Sequence, residues 1–294
     1  MVDLPVQGLA LLGLKDLRQH LAAIEQHGAL RVVGCWGEVP AGAAISSVPD
    51  PAELLLHPQT KGVVVGADGA LREYWLRQAA KAGKPVLSCE LPTPSFARLQ
   101  DMVEQARASG GVICMLPRLR VLGEDLPPAD GTWYFSLRVR VPRAALTGTR
   151  QGLLVFWGVA LFQVLAERFG RLDSVYARTR SLGLNRPEED VVSAQLRFAN
   201  GVEGLVSLSG LGSESEMVLE EWSEGGARCL RFVWLEPGAA ALGQAYADFA
   251  QVLRPGAEAP PPLRLPLEGL RWAEWFQQSA RRDREIYANE VAHE

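Results

Sequence analysis

The stretch HPQTKGVVVGADGALREYWLRQAAKAGKPVLSCELPTPSFARLQDMVEQARASGGVICMLPRLR, residues 57–120, decides the fold of this chain. In it, short apolar runs alternate with helical patterns. The runs that we predict to be strands lie at 62–66, 85–89 and 111–115. Gly83 and Gly110 end the two helical patterns, as suits the left-handed C-cap of a helix. Apolar strands separated by helices predict a parallel sheet with both faces covered.

The residues before this stretch continue the same alternation. Further strands are predicted at 6–12 and 30–35, and helices at 15–27 and 51–57. Asp50 and Pro51 signal the start of the second of these helices, because aspartate favours the N-cap and proline favours the first helical position. We therefore predict that residues 1–120 form a doubly wound domain of the nucleotide-binding type.

A different pattern follows residue 120. Residues 132–141 alternate between apolar and polar side chains, which predicts a half-buried strand. Helices are predicted at 151–169, 240–253 and 270–286, and further strands at 174–182, 190–198, 202–209, 217–222 and 229–234. Asn200-Gly201 is a tight-hairpin signal between two of these strands. We predict that residues 121–294 form an α+β domain, with an open antiparallel sheet and helices on one face.

The composition excludes several classes of function. A net charge of −4 and a pI near 5.7 leave no basic footprint for nucleic acid, and no polybasic stretch suits an anionic membrane surface. The four cysteines are scattered and form no cluster with histidine, so we expect free thiols, no disulfide and no metal site. These features predict a cytoplasmic protein.

Two blocks of the sequence resemble the Gfo/Idh/MocA family, the glucose–fructose oxidoreductases and inositol dehydrogenases. Residues 57–120 are similar to that family from its third strand, through its "aGKxVxxEKP" turn, to its fifth strand. Residues 152–210, GLLVFWGVALFQVLAERFGRLDSVYARTRSLGLNRPEEDVVSAQLRFANGVEGLVSLSG, resemble its active-site helix and the strands that follow. The blocks cover well over a third of the chain. The resemblance implies an N-terminal Rossmann domain and a C-terminal open antiparallel sheet.

The resemblance also implies NAD(P) as cofactor, but the cofactor motifs depart from the family pattern. The GxGxxG phosphate loop reads Gly13-Leu14-Lys15-Asp16-Leu17-Arg18, so only its first glycine is present, although glycines let the backbone approach the pyrophosphate. The acidic residue that would hold the ribose falls at Trp36, and the histidine of "TPxxxH" at Arg72. If a cofactor site remains, its residues are Gly13, Lys15, Trp36, Arg72 and Glu90.

The catalytic motifs depart further. The family's "EKP" reads Glu90-Leu91-Pro92, and its DxGxHxxD helix pattern carries Phe156, Ala160 and Gln163 in place of aspartate, histidine and aspartate. Leucine can neither donate a hydrogen bond to a substrate hydroxyl nor stabilise an alkoxide. We therefore predict no catalytic residue at these four positions. Their apolar replacements favour either an apolar pocket between the domains or a filled core.

Three functions remain open at this stage. The first is a catalytically degenerate pseudo-dehydrogenase that binds a ligand or serves as a scaffold. The second is an NAD(P)-dependent oxidoreductase for a bulky or conjugated substrate, similar to biliverdin reductase, which shares this fold and also lacks the lysine. The third is a partner-binding module, because the family resemblance implies a homo-oligomer formed through the C-terminal sheet. Its apolar area would come from Val191, Ala194, Leu196, Phe198, Val206 and Leu208.

Overall fold

The computed structural model of the chain describes residues 6–117, 119–121, 129–147, 152–182, 188–234, 239–254 and 256–291. They fold into two compact units. The first comprises Met1–Arg118 and Leu235–Leu265, and the second comprises Leu119–Trp234 and Pro266–Glu294. Among the described helices, none is both long and apolar enough to cross a bilayer.

Five parallel strands form the sheet of the first unit, in the spatial order β2-β1-β3-β4-β5. They are β1 (Gln7–Leu12), β2 (Leu30–Trp36), β3 (Thr60–Val65), β4 (Val86–Ser88) and β5 (Ile113–Met115). The connecting helices are α1 (Leu17–His27), α2 (Pro51–Leu56), α3 (Gly69–Lys81) and α4 (Phe96–Ala108). From Gly8 to Leu12 every residue of β1 is buried, so both faces of this strand are covered. The predicted parallel sheet is confirmed.

A helix from the later part of the chain, α7 (Ala239–Val252), also belongs to the first unit. Its Tyr246 and Phe249 side chains are wholly buried in the core of that unit. Gly62 of β3 makes room for the helix, because a Cβ there would lie 3.2 Å from the Phe249 ring. The sequence division at residue 120 therefore differs from the structure for residues 235–265. Helical periodicity shows that α7 has an apolar face but not which sheet that face covers.

Eight strands form the sheet of the second unit, in the order β13-β8-β9-β10-β7-β11-β12-β6. They are β6 (Leu119–Val121), β7 (Thr132–Pro142), β8 (Leu172–Arg180), β9 (Val191–Phe198), β10 (Glu203–Gly212), β11 (Glu216–Ser223), β12 (Gly226–Trp234) and β13 (Ile286–Tyr287). One pair, β7 and β10, is parallel, and the other pairs are antiparallel. The predicted antiparallel sheet is thus mixed, because the chain between these two strands passes through helices and two further strands before it returns.

The helices of the second unit include a short stretch of π-helix, which the sequence prediction missed. They are α5 (Arg143–Thr147), the π-helix Leu154–Gly158, α6 (Val159–Phe169), α8 (Leu267–Arg282) and α9 (Ala288–Val291). The helix predicted at 270–286 ends at Arg282, since Asp283 adopts a left-handed conformation with φ of 46°. A short 3-10 helix, Pro261–Leu263, precedes α8 in the chain and belongs to the first unit.

The two faces of the second sheet differ in polarity. The inner face, which includes Phe135, Leu137 and Val139, is buried, and the Phe135 ring stacks on Phe169 of α6 at 4.6 Å. Five of the six apolar residues named for this sheet lie buried on this inner face, at Ala194, Leu196, Phe198, Val206 and Leu208. They belong to the face that packs on the protein's own core, so a contact between two subunits would use the outer face. The outer face carries polar side chains such as Arg138, Ser193 and Ser207.

Helices α6 and α8 cross at very short range in the second unit. Gly269 lies in the first turn of α8, where a Cβ would overlap the Val159 carbonyl oxygen and lie 2.8 Å from the Gln163 amide nitrogen. Backbone atoms cannot rotate away as a side chain can, so this position requires glycine for packing rather than for a left-handed conformation. The crossing fixes the position of α6, which the family resemblance identifies as the active-site helix.

Candidate functional site

The carboxyl ends of β1, β2 and β3 meet at Gly13. Its amide donates a hydrogen bond to the Trp36 carbonyl at 2.8 Å, and its φ of +64° is left-handed. A Cβ on this residue would lie 3.0 Å from the Cα of Ala67. Glycine is therefore required both for the turn and for the close approach of the β3 loop. Ligands of open α/β sheets bind at this edge, where the strand order changes direction.

Helix α1 presents an uncapped N-terminus at this edge. The Asp16 side chain makes no capping hydrogen bond, and the first turn contains no acidic residue. The free N–H groups of the first turn suit an anion, whereas the exposed Lys15 and Arg18 beside them are balanced in charge by Asp16 and Asp68. The Lys15 ammonium has a protein partner, since its Nζ lies 2.8 Å from Asp68 Oδ1. The hydrogen bond from Lys15 lowers the pKa of Asp68, and burial opposes the shift.

Arg72 connects the loops that follow β3 and β4. Its side chain is only 5% exposed. Its Nε donates to the Ala67 carbonyl at 2.9 Å, and its Nη1 donates to the Leu91 carbonyl at 3.0 Å. Its Nη2 makes an ion pair with the Glu90 carboxylate. Arg72 and Glu90, both predicted as candidate cofactor residues, are thus bound to each other and to the loop backbone.

Trp36 ends β2 at the position where the family resemblance would place a ribose-binding acid. It is half-buried, and its ring centroid lies 6.0 Å from that of Trp75 on α3. The nearby carboxylate in the sequence, Glu38, is exposed two residues further on. A tryptophan offers one N–H donor and no acceptor for the ribose diol. The turn at Gly13 therefore fits a phosphate group, whereas the residues at the end of β2 do not fit a dinucleotide held by its ribose hydroxyls.

The other predicted positions lie in the second unit. Phe156 is half-buried on the π-helix, 5.6 Å from the Trp157 ring, and Ala160 is half-buried on α6. The Gln163 amide is engaged on both sides, because its Nε2 donates to Glu167 Oε1 at 2.9 Å and its Oε1 accepts from the Gly269 amide at 3.2 Å. None of the three side chains can donate or accept a proton at neutral pH. The structure therefore gives Gln163 a packing role between α6 and α8.

The acidic run Glu188-Glu189-Asp190, which the sequence motifs did not single out, has a structural role next to the candidate site. Glu189 caps the helix that contains Phe156, since its Oε1 accepts from the Leu154 amide at 2.9 Å. Asp190 is wholly buried and accepts from the Leu182 amide at 2.8 Å. No cluster of three or more metal-ligating side chains occurs in the described part of the chain. Glu189 follows Leu154 by 35 residues in the chain, so no local sequence pattern indicates the hydrogen bond between them.

Comparison with known proteins identifies the fold. No protein-family model and no curated protein matches the sequence. The WlbA dehydrogenase of Bordetella pertussis, solved with NADH and UDP-GlcNAcA, has a TM-score of 0.78 at 17% identity, covering 96% of this chain and 98% of that chain. A myo-inositol dehydrogenase of Corynebacterium glutamicum has a TM-score of 0.74 at 16% identity, covering 96% and 99%. The chain has the Gfo/Idh/MocA dehydrogenase fold.

This result confirms the resemblance at the level of the fold, for both units together. Within the Gfo/Idh/MocA fold of this chain, the five candidate cofactor residues and Leu91 lie at the carboxyl edge of the first sheet. Phe156, Ala160 and Gln163 lie on the helical stretch of the second unit. The structure thus brings Gly13 and Trp36 into direct contact, and Arg72 and Glu90 as well. Lys15 is connected to Arg72 through Asp68, whose Oδ1 lies 2.8 Å from Lys15 Nζ and 3.9 Å from Arg72 Nη2.

Proposed function

We propose that this protein is a catalytically degenerate member of its fold, a pseudo-dehydrogenase that binds a ligand or serves as a scaffold without transferring hydride. The observation that supports this proposal is the chemistry of four side chains, those of Leu91, Phe156, Ala160 and Gln163. The first three have no polar group, and the fourth is committed to the contact between α6 and α8. General acid–base catalysis needs a titratable group close to the reacting atom, and none of these four is one.

The Arg72–Glu90 ion pair supports the same proposal. Its carboxylate and guanidinium neutralise each other at the edge where a dehydrogenase of this fold would receive its cofactor. Breaking such a pair to bind a ligand would leave the nearly buried Arg72 with only a more distant counter-charge, that of Asp68, whose Oδ1 lies 3.9 Å from Arg72 Nη2. The pair therefore works as part of the loop structure, connecting the ends of β3 and β4, and is poorly suited to exchange its partners during a reaction cycle.

Titration with NADH and NADPH tests the proposal, with nicotinamide fluorescence and the melting temperature followed together. A ligand at one hundred times its dissociation constant stabilises a fold by about 2.7 kcal/mol, so binding would raise the melting temperature measurably. We expect no shift with either dinucleotide at about 1 mM, a concentration that would detect dissociation constants in the micromolar range. An active dehydrogenase of the same fold serves as the positive control for the assay.

Tight binding would favour the alternative, an NAD(P)-dependent oxidoreductase acting on a bulky or conjugated acceptor, and oxidation of the bound NADH by such an acceptor would contradict the proposal. The double variant Leu91→Lys/Ala160→His gives a second check. We expect it to remain inactive with polyols, because the two aspartates and the ribose-binding acid are also replaced. Polyol oxidation by this variant would show that the degeneration is confined to two residues.

Pairing of two copies through the outer face of the second sheet is a further proposal. Val191 and the exposed Leu205 supply apolar area there, in place of the buried residues named from the sequence. We expect a dimer in light scattering at micromolar concentration and a monomer for Leu205→Arg, because an arginine would bring like charges together across a two-fold axis. An unchanged mass for the variant would exclude this face.

We place the protein in the cytoplasm, since the four cysteines are free and two of them, Cys35 and Cys114, are buried. Free thiols persist in a reducing compartment. Recovery of the protein in a periplasmic or secreted fraction would contradict this location.

A further inference from the structure

A polar cavity of about 630 Å³ lies in the second unit, at one corner of the outer sheet face. The chain segment between β10 and β11 borders it, and these two strands lie on either side of β7. That segment, residues 213–215, crosses the end of β7, where the last residue of β10, Gly212, pairs with Pro142. The volume is within the range of about 300–1,000 Å³ that is usual for small-molecule sites. Nothing in the proposed function uses this cavity.

Two guanidinium groups line the cavity, those of Arg140 on β7 and Arg231 on β12. Arg140 Nη1 lies 3.7 Å from Glu216 Oε2, which is too long for a hydrogen bond, so its donors are unused there. Glu216 is shared, because Arg138 Nε also approaches it at 3.5 Å. Among the described residues, no acidic side chain lies within ion-pair distance of Arg231. The lining holds two guanidinium groups and, with Glu214, two carboxylates, and Arg138 beside Glu216 brings the corner to three guanidinium groups against two carboxylates.

Hydroxyl groups and one further carboxylate complete the wall. Ser209, Ser213 and Ser215 each carry a group that can both donate and accept a hydrogen bond, and Glu214 is exposed beside them. Leu211 is the apolar side chain in this lining. Guanidinium groups recognise carboxylates and phosphates by paired N–H donors, whereas serine and glutamate suit the hydroxyl groups of a ligand.

We infer that this cavity binds a small anionic polyhydroxy compound, with its carboxylate or phosphate on Arg140 and Arg231 and its hydroxyl groups on the serines and glutamates. The inference is independent of the proposed function, because it concerns neither the cofactor edge of the first unit nor the positions on α6. The cavity is then a ligand site on the outer face of the second sheet, opposite the face that packs against the helices.

Isothermal titration of the full chain tests the site. Glucose 6-phosphate and gluconate serve as the phosphate and carboxylate probes, with glucose and inorganic phosphate as the separate halves of the ligand. We expect at least one anionic sugar to bind with a dissociation constant below about 1 mM, and glucose to bind at least tenfold more weakly. The stronger of the two anionic probes identifies the acid group that the site prefers.

Single substitutions Arg140→Gln and Arg231→Gln should each weaken binding by about tenfold or more, because each removes a charge-assisted contact. Arg180→Gln is the matched control, since it removes the same charge from the same sheet face but lies outside the cavity lining. All three side chains are exposed, so the variants should keep the parent melting temperature.

Three outcomes would overturn the inference. The first is no binding of either anionic sugar at about 10 mM, and the second is an equal loss in all three arginine variants, which would indicate general charge attraction. The third is binding that appears only in the monomeric Leu205→Arg background, because the cavity would then be covered by a second copy in the native protein. The NADH titration addresses a different unit, so its result leaves this test unaffected.

Discussion

Glu221→Leu is expected to lower the free energy of unfolding by about 3–5 kcal/mol, because it removes the carboxylate that two nitrogens of the buried Arg168 guanidinium contact. Both side chains are nearly inaccessible, at 5% and 3% exposure. The contact is bidentate, with Arg168 Nε and Nη2 each donating to one Glu221 oxygen, the second at 2.6 Å. It fixes the C-terminal end of α6 to β11, while the Gln163–Gly269 contact fixes the middle of the helix.

Urea unfolding followed by tryptophan fluorescence measures this effect. The double variant Arg168→Met/Glu221→Leu should recover most of the loss, since replacing both partners by apolar groups removes the desolvation cost as well as the attraction. The exposed cross-strand pair Arg197–Glu203 provides the control, and Glu203→Gln should change the stability by less than about 1 kcal/mol. A single variant as stable as the parent would show that water reaches Arg168.

Acidification from pH 7 to pH 4 is expected to lower the free energy of unfolding by up to about 3 kcal/mol through His20 alone. Burial lowers the pKa of His20 from 6.5 to about 4, and the nearby Asp16 opposes this only in part. The folded chain therefore binds the proton less readily than the unfolded chain does. The contribution is fully present above pH 6.5 and is lost as the pH falls from about 6.5 to about 4.

The geometry explains why a neutral imidazole is preferred at this position. His20 Nδ1 lies 2.7 Å from the Tyr246 hydroxyl, and the bond connects α1 to α7 inside the first core. Burial raises the pKa of Tyr246 far above its ordinary value, so the phenol stays protonated. A neutral histidine with an unprotonated Nδ1 can accept a hydrogen bond from the phenol, whereas an imidazolium cannot.

Melting curves from pH 7 to pH 4 for the parent and for His20→Gln measure the effect. The variant should start less stable at pH 7 and lose less on acidification, so that the difference between the two proteins shrinks as the pH falls. His57→Gln, whose ring lies at the C-cap of α2, is the matched control and should follow the parent. Parallel curves for the parent and the His20 variant would show that His20 does not carry this pH dependence.

Local sequence signals predicted most of the individual elements. Asp50 caps α2 as expected, with its Oδ1 accepting from the Ala52 amide at 2.9 Å. Asn200-Gly201 forms the turn between β9 and β10, and Gly201 has a φ of +88°. The short strands β6 and β13 were missed, since three and two residues carry too little periodicity to be recognised. The π-helix was also missed, because its residues fit the apolar pattern of an ordinary helix.

The sequence by itself determined the parallel sheet of the first unit and the residue types at the four positions that the family resemblance aligns with catalytic residues, namely Leu91, Phe156, Ala160 and Gln163. These are properties of residue type and of periodicity along the chain. Only the tertiary structure decided that α7 returns to the first unit, that Ala194 and its neighbours face the core, and that Arg72 is bound to Glu90. Each of these depends on which distant segment lies opposite a side chain, and that choice is made by packing rather than by local pattern.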